Sequence, residues 1–334
     1  MVQKKSKIWI RSIIIIGLFC KVLSFSKRMK FMAIISLPSC KLSEFEDSHE
    51  NFNYIAYSYV QWLAQAGIIP ILIPYDTDER LFRYLLDHSQ GVLLTGGSAE
   101  FFTEEGVPTT YMKTVNFTVN YAKSRNDSGK KFLIWGTCLG FESMMMALSG
   151  LDNSTLSDGF DDSLTMHKVT PTPLFNDSKF WKKIDKESIH KVFDKEKVFF
   201  YHSLGYKPEV VKNHPVLSKE VNILATSISK NNKTFVSIME HKKYPFFGVQ
   251  WHPEKTQFEN SSLYDFLDRS SDTIHLMKDI PNRIEKLLRS GSPLTPIDPK
   301  IKPFIYDNQR PQNCSLKSYS KIYLYRNQRL NIVS

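Results

Sequence analysis

From residue 31 onward, short apolar runs alternate with amphipathic stretches. Residues 31–37, 68–74, 91–95 and 131–135 read as strands buried on both faces, because their apolar residues run on without alternating with polar ones. Helices are predicted between them. Residues 54–66 carry Ala56, Val60 and Leu63 at helical spacing and stop at Gly67, a natural C-terminal residue; 79–86, 110–123 and 139–148 follow. Such a sequence of elements implies an α/β fold, a doubly wound and mostly parallel sheet flanked by helices. After Gly150 the pattern loosens. Strands are predicted near 164–169 and at 198–203, 221–226, 235–240 and 246–251, which a sheet edge or a small extra β-layer would accommodate. Residues 262–288 read as helix, broken or kinked at Pro281.

The two ends differ from this body. In residues 1–26, Lys4, Lys5, Lys7 and Arg11 precede the short apolar run Ser12-Ile-Ile-Ile-Ile-Gly-Leu-Phe-Cys20, with small residues at Ser24 and Ser26. That is the pattern of a secretory signal peptide, with an uncleaved signal anchor as the alternative. Residues 291–334, rich in proline, polar and basic residues, read as a poorly ordered or loosely docked basic tail. The net charge of +10 belongs to these two ends, and the body at 27–290 is close to neutral. A nucleic-acid partner is therefore not expected, nor stable membrane association once a signal is cleaved. Asn116, Asn126, Asn153, Asn176, Asn232, Asn260 and Asn313 each begin an Asn-x-Ser/Thr triplet, in keeping with a secretory route.

Of four cysteines, Cys20 lies in the leader, and Cys40 and Cys314 are candidates for a bridge in an oxidising compartment. No spacing suggests a metal site. Cys138 stands where the strand at 131–135 passes through Gly136 into the helix at 139–148. It reads either as a buried thiol or as a nucleophile held at a strand-to-helix corner, facing the N–H groups of the following helix. A second strand end, Phe246-Phe-Gly-Val-Gln-Trp-His252-Pro-Glu254-Lys255, shifts that balance. A thiol needs a base, and the base needs an orienting group; His252 and Glu254 supply both types of group. A third end, Gly96-Gly97-Ser98, reads as a tight turn or as one donor of an oxyanion hole, the N–H of Leu139 being the other. In an open parallel sheet all three would share the carboxyl rim, where ligands bind.

The blocks Trp135-Gly-Thr-Cys-Leu-Gly-Phe-Glu142 and Gly248-Val-Gln-Trp-His-Pro-Glu-Lys255 resemble those of the γ-glutamyl hydrolases, folate-polyglutamate peptidases of the class I glutamine-amidotransferase-like superfamily, whose sheet is flavodoxin-like. Gly91-Val-Leu-Leu-Thr-Gly-Gly-Ser98 and Tyr54-Ile-Ala-Tyr-Ser-Tyr-Val-Gln-Trp-Leu63 are similar as well, so the likeness runs through residues 31–290. The resemblance implies a cysteine-type omega-peptidase acting on folyl poly-γ-glutamates or related γ-glutamyl peptides. Cys138 would be the nucleophile, His252 the general base and acid, and Glu254 its carboxylate; no cofactor or metal is implied. It further places His202, in His202-Ser-Leu-Gly205, and Gly96 beside the substrate, and leaves a homodimer open. A lysosomal, vacuolar or extracellular location follows from the leader. The alternative is hydrolysis of another γ-glutamyl amide, or a glutaminase of the amidotransferase type. Lys255 is the candidate cation for an anionic substrate. Phe101-Phe-Thr-Glu-Glu105 departs from the family pattern.

Overall fold

The computed structural model describes residues 29–38, 52–289, 297–314 and 318–326; the expected leader and Cys40, with its expected pairing, lie outside them. The described elements start with β1 (Phe31–Ile35), β2 (Leu37–Pro38) and β3 (Phe52–Ala56), and β3 runs directly into α1 (Tyr57–Ala64). Then β4 (Ile69–Ile73), α2 (Glu79–Asp87), β5 (Gly91–Leu94), α3 (Thr110–Asp127), β6 (Leu133–Thr137) and α4 (Leu139–Leu148) alternate as the apolar pattern requires. The looser middle holds β7 (Asp162–His167), β8 (Thr170–Pro171), α5 (Lys186–Phe193), β9 (Val198–His202), α6 (Pro208–Asn213) and α7 (Leu217–Glu220). After it come β10 (Val221–Ile228), β11 (Thr234–His241), β12 (Phe246–Val249), α8 (Lys255–Phe258), α9 (Ser271–Arg289), β13 (Gln312–Asn313) and β14 (Lys321–Arg326). Side-chain caps start α2, α3 and α5, the last through Asp185, which accepts from the N–H of Ser188. Asp78 accepts from the N–H groups of Arg80 and Leu81 ahead of α2, and Thr109 accepts from Met112 ahead of α3.

One eight-stranded sheet, ordered β4-β1-β5-β6-β12-β11-β10-β8, forms the centre. It is parallel from β4 to β12 and antiparallel beyond. The late strands thus extend the main sheet, while β13-β14-β3-β2 and β7-β9 make two small additional sheets. Burial follows: β1, β5, β6 and β12 are buried at every residue, and Trp62, Trp135, Trp181 and Trp251 are all in the core. Register sets the rim. Leu94 pairs with Gly136 and Thr137 with Val249, so β5, β6 and β12 end side by side. Gly96, Cys138 and His252 follow closely on those ends and emerge at one carboxyl edge.

Several segments differ from the sequence reading, among them 262–270, read as helix although α9 begins only at Ser271. Residues 52–56, expected in part as the start of a helix, are β3, because they pair antiparallel with β14 from Phe52↔Arg326 to Ala56↔Ile322. The partner strand lies in the stretch read as a loosely docked tail. In the described part of that stretch, Ile301, Ile305, Tyr319, Ile322 and Tyr323 are buried in the main core. Pro281 sits inside α9, which continues through it. Among the described residues, no helix is long and apolar enough to cross a membrane.

Candidate active site

Cys138 has φ 51° and ψ −114°, a conformation that costs an L-residue energy and that the surrounding contacts must impose. Both its peptide groups are pinned. Its N–H donates to the Val249 carbonyl at 2.8 Å, and its carbonyl accepts from the N–H of Glu142 at 2.9 Å. Close approach of α4 to the sheet completes the corner, and it requires glycine: a Cβ on Gly140 would fall 2.0 Å from the Leu94 carbonyl oxygen. The thiol is 4 % exposed, with Sγ 3.6 Å from the Tyr201 carbonyl. Burial, and then the nearby Glu142 carboxyl, push its pKa well above the usual thiol range; the Leu139 N–H acts the other way. At rest the sulfur therefore carries its proton.

His252 follows β12 after Trp251 and is buried, as is Glu254. Its Nδ1 lies 2.8 Å from Glu254 Oε1 and 3.4 Å from the Tyr59 hydroxyl, which also accepts from the N–H of Gly96 at 2.8 Å. A carboxylate at Nδ1 requires the proton on that nitrogen, which leaves the Nε2 lone pair to act as base. Nε2 has no hydrogen-bond partner among the described residues. Gly96 is the wedge between the parts: a Cβ there would stand 2.7 Å from His252 Cε1 and 3.1 Å from Cys138 Cβ. Any side chain on Gly96 would collide with His252 and crowd Cys138, so only glycine fits against these two residues.

Cys138, Leu139, His252, Gly97, His202 and Lys255 line one cavity of about 600 Å³, together with Glu142, Tyr54, Tyr264 and Tyr319. Two sequence candidates stand behind its wall. Glu254 reaches the cavity only through His252, and Gly96, expected beside the substrate, is walled off with its N–H taken by Tyr59. Gly97 has φ 150°, and a Cβ there would meet Leu37 Cδ1 at 2.4 Å. His202, on the two-stranded β7–β9 sheet, directs Nδ1 to the Leu204 carbonyl at 2.7 Å, with Nε2 3.5 Å from Asp162 Oδ2. Burial lowers its pKa to about 4, so it is neutral above that pH. Among the described residues, no group of three or more His, Cys, Asp or Glu side chains is arranged to hold a metal ion.

Three features were not read from the sequence. Tyr59 was noted only as part of an apolar helix, because its hydroxyl meets His252 across 193 residues of chain. Glu142, one helical turn past Cys138, is buried with Oε1 accepting from Gln250 Nε2 at 2.7 Å, and burial pushes its pKa up to about 8. Asp162 is fully buried and also takes His167 Nε2 at 2.6 Å, a pairing that short-range pattern does not reveal.

Residues 33–254, about two thirds of the chain, match the family described as Peptidase C26. Gamma-glutamyl hydrolase 1 of Arabidopsis thaliana is 29% identical over 300 residues, covering 88% of this chain and 82% of that protein. Gamma-glutamyl hydrolase of Homo sapiens is 30% identical over 210 residues, or 63% of each chain. A putative GMP synthase subunit of Thermoplasma acidophilum superposes with a TM-score of 0.46 at 14% identity, covering 78% of this chain and 98% of that one. That value is too low to argue from, and the fold rests on the sheet order and register. With the matched span running from β1 through the elbow cysteine to Glu254, the chain belongs to the Peptidase C26 family and is a hydrolase.

Proposed function

We propose that this chain is a γ-glutamyl hydrolase that cleaves poly-γ-glutamates, folyl conjugates among them, through a thioester acyl-enzyme on Cys138. The observation that carries this is the convergence on one cavity of a strained cysteine elbow and a carboxylate-held histidine whose Nε2 has no partner among the described residues, in a chain of this family.

The resting thiol is protonated, so attack needs His252 Nε2 to accept the Sγ proton as sulfur bonds to the γ-amide carbon. Glu254, bonded to Nδ1, stabilises the imidazolium that forms and keeps the ring oriented. The N–H of Leu139, first in α4, already faces the sulfur, and with the N–H of Gly97 it would hold the oxyanion. Collapse breaks the C–N bond, and His252 gives its proton to the departing amine. Water then adds to the thioester, His252 taking a proton from it, and the carboxylate leaves as the thiol is restored. His202, neutral above pH 4 or so, fits a role as a hydrogen-bonding wall for substrate.

Location is proposed on the same footing. A secretory route suits Asn153, Asn176, Asn232, Asn260 and Asn313, which are exposed as glycan acceptors must be. Asn126 is a poor acceptor, since its amide donates to the Ala122 and Phe132 carbonyls. Digestion of a defined pteroyl-penta-γ-glutamate, beside free glutamine, tests the activity. Release of shortened pteroyl-glutamates that ceases in Cys138→Ala supports it; turnover of glutamine without polyglutamate cleavage overturns it in favour of a glutaminase.

A further inference from the structure

Lys255 opens α8 three residues beyond His252 and is 2 % exposed. Its Nζ donates to the Tyr264 hydroxyl at 2.9 Å and to the Ser318 carbonyl at 3.2 Å. The ammonium also lies 4.5 Å from the Tyr264 ring centroid and 4.7 Å from that of Tyr319. It makes no ion pair among the described residues, unlike the buried Lys30, which is bonded to Glu285. An ammonium has three N–H donors, and the two hydrogen bonds leave one for the cavity that Lys255 lines. A buried cation without a carboxylate is expensive to maintain. Burial works against its charge, yet Tyr264, Glu259 and Glu254 more than offset that and raise its pKa above the ordinary lysine value. Among the described cavity-lining residues, no other lysine or arginine occurs, whereas Glu100, Glu142 and Asp158 do.

The segment that holds Lys255 is the one read from sequence as a loose tail. Ser318 supplies the carbonyl and Tyr319 the ring, while the Ser320 N–H and hydroxyl both donate to Glu259 Oε2 at 2.9 and 2.7 Å. Beyond it β14 is clamped onto β3, whose Tyr54 faces Tyr319 with ring centroids 5.6 Å apart. The strap thus closes one side of the cavity and positions its single described ammonium.

We propose that Lys255, held by the strap at 318–326, receives an α-carboxylate of the substrate next to the scissile γ-amide. This rests on the γ-glutamyl reading, in which every γ-linked residue keeps a free α-carboxylate a few bonds from the attacked carbonyl. A fixed ammonium beside the nucleophile would then distinguish a γ-linkage from a peptide bond, whose α-carboxyl is consumed. The carboxylate belongs either to the acyl residue or to the leaving glutamate, and suitable substrates separate the two.

Initial rates for wild type, Lys255→Met and Lys255→Arg would be measured on three compounds: pteroyl-γ-glutamyl-glutamate, its analogue with 4-aminobutyrate as acyl residue, and its analogue with 4-aminobutyrate as leaving residue. Lys255→Met should lower kcat/KM on the parent by about 100-fold, with Lys255→Arg retaining part of the activity. On one truncated compound wild type and Lys255→Met should be equal, and that compound identifies which carboxylate is bound. An equal loss on all three compounds, or a parent rate within about twofold of wild type, overturns the assignment. If wild type cleaves none of them, the γ-glutamyl reading falls. Lys255 is then judged by calorimetric binding of glutarate to Cys138→Ala with and without Lys255→Met: weaker binding supports carboxylate recognition, and equal binding overturns it.

Discussion

Two histidines reach the same cavity from different sheets, and what their Nδ1 atoms touch separates them. His252, at the end of a strand in the parallel sheet, has a carboxylate at Nδ1 and, among the described residues, no partner at Nε2. His202, from the two-stranded β7–β9 sheet, has a neutral carbonyl at Nδ1, and burial lowers its pKa to about 4. A carboxylate stabilises the imidazolium that proton transfer creates; a carbonyl fixes the tautomer but does much less for the charge. Asp162 does approach His202 Nε2 at 3.5 Å, but its other oxygen is held by His167 at 2.6 Å. In the proposed mechanism a strand-end histidine becomes a proton carrier through its partner, and position on the rim is not enough.

The largest effect should come from breaking the His252 side. Cys138→Ala should abolish turnover, and His252→Asn should lower kcat by on the order of 10³- to 10⁴-fold. His202→Asn should cost only about tenfold, mainly in KM. Equal kcat losses for the two histidines in steady-state assays would erase the distinction between them. Next, Glu254→Gln should lower kcat by about 100-fold, less than loss of His252 itself, while Asp162→Asn should stay within about tenfold.

A smaller effect concerns stability. Because the folded pKa of His202 lies near 4, below the value near 6.5 of an unfolded histidine, the unfolded chain binds more protons between those pH values. Its contribution is therefore complete above about pH 6.5 and is lost as pH falls through 4, on the order of 3 kcal/mol. His241 behaves alike: its pKa is also near 4 through burial, and its Nδ1 accepts from the N–H groups of Lys243 and Tyr244. In urea titrations from pH 7 to pH 4, replacing either histidine with Asn should flatten part of the decline. An unchanged slope would contradict the burial argument.

The smallest effect is on the thiol. Alkylation of Cys138 by iodoacetamide should keep rising from pH 6 to 9 without a plateau, since its pKa is pushed up. Glu142→Gln should speed it a few-fold above about pH 8, where that carboxyl is otherwise charged. A plateau near neutrality would show a preformed thiolate instead.

Much of the parallel core and the His252 side was legible in the sequence because the information is local. A strand, a glycine, a cysteine and a helix occupy adjacent residues, and Glu254 needs only two residues to reach His252. The His202 side and the strap were less legible because their partners are remote. Residues 54–56 read as helix until paired with β14, some 270 residues away, and β14 itself offers only six residues of pattern. Gly96 was placed beside the substrate from its motif, but the Tyr59 hydroxyl occupies its N–H.

By itself, the sequence determined the run of strands and helices, the three marked strand ends and their common rim, because apolar periodicity and turn chemistry act between near neighbours. Tertiary structure alone decided which charges survive burial around them. It seated Lys255 without a carboxylate partner among the described residues, left Glu142 with Gln250 in place of a cation, and gave His202 a carbonyl. Those outcomes depend on what packs against each group from distant parts of the chain, and desolvation and pairing are properties of that assembled surrounding.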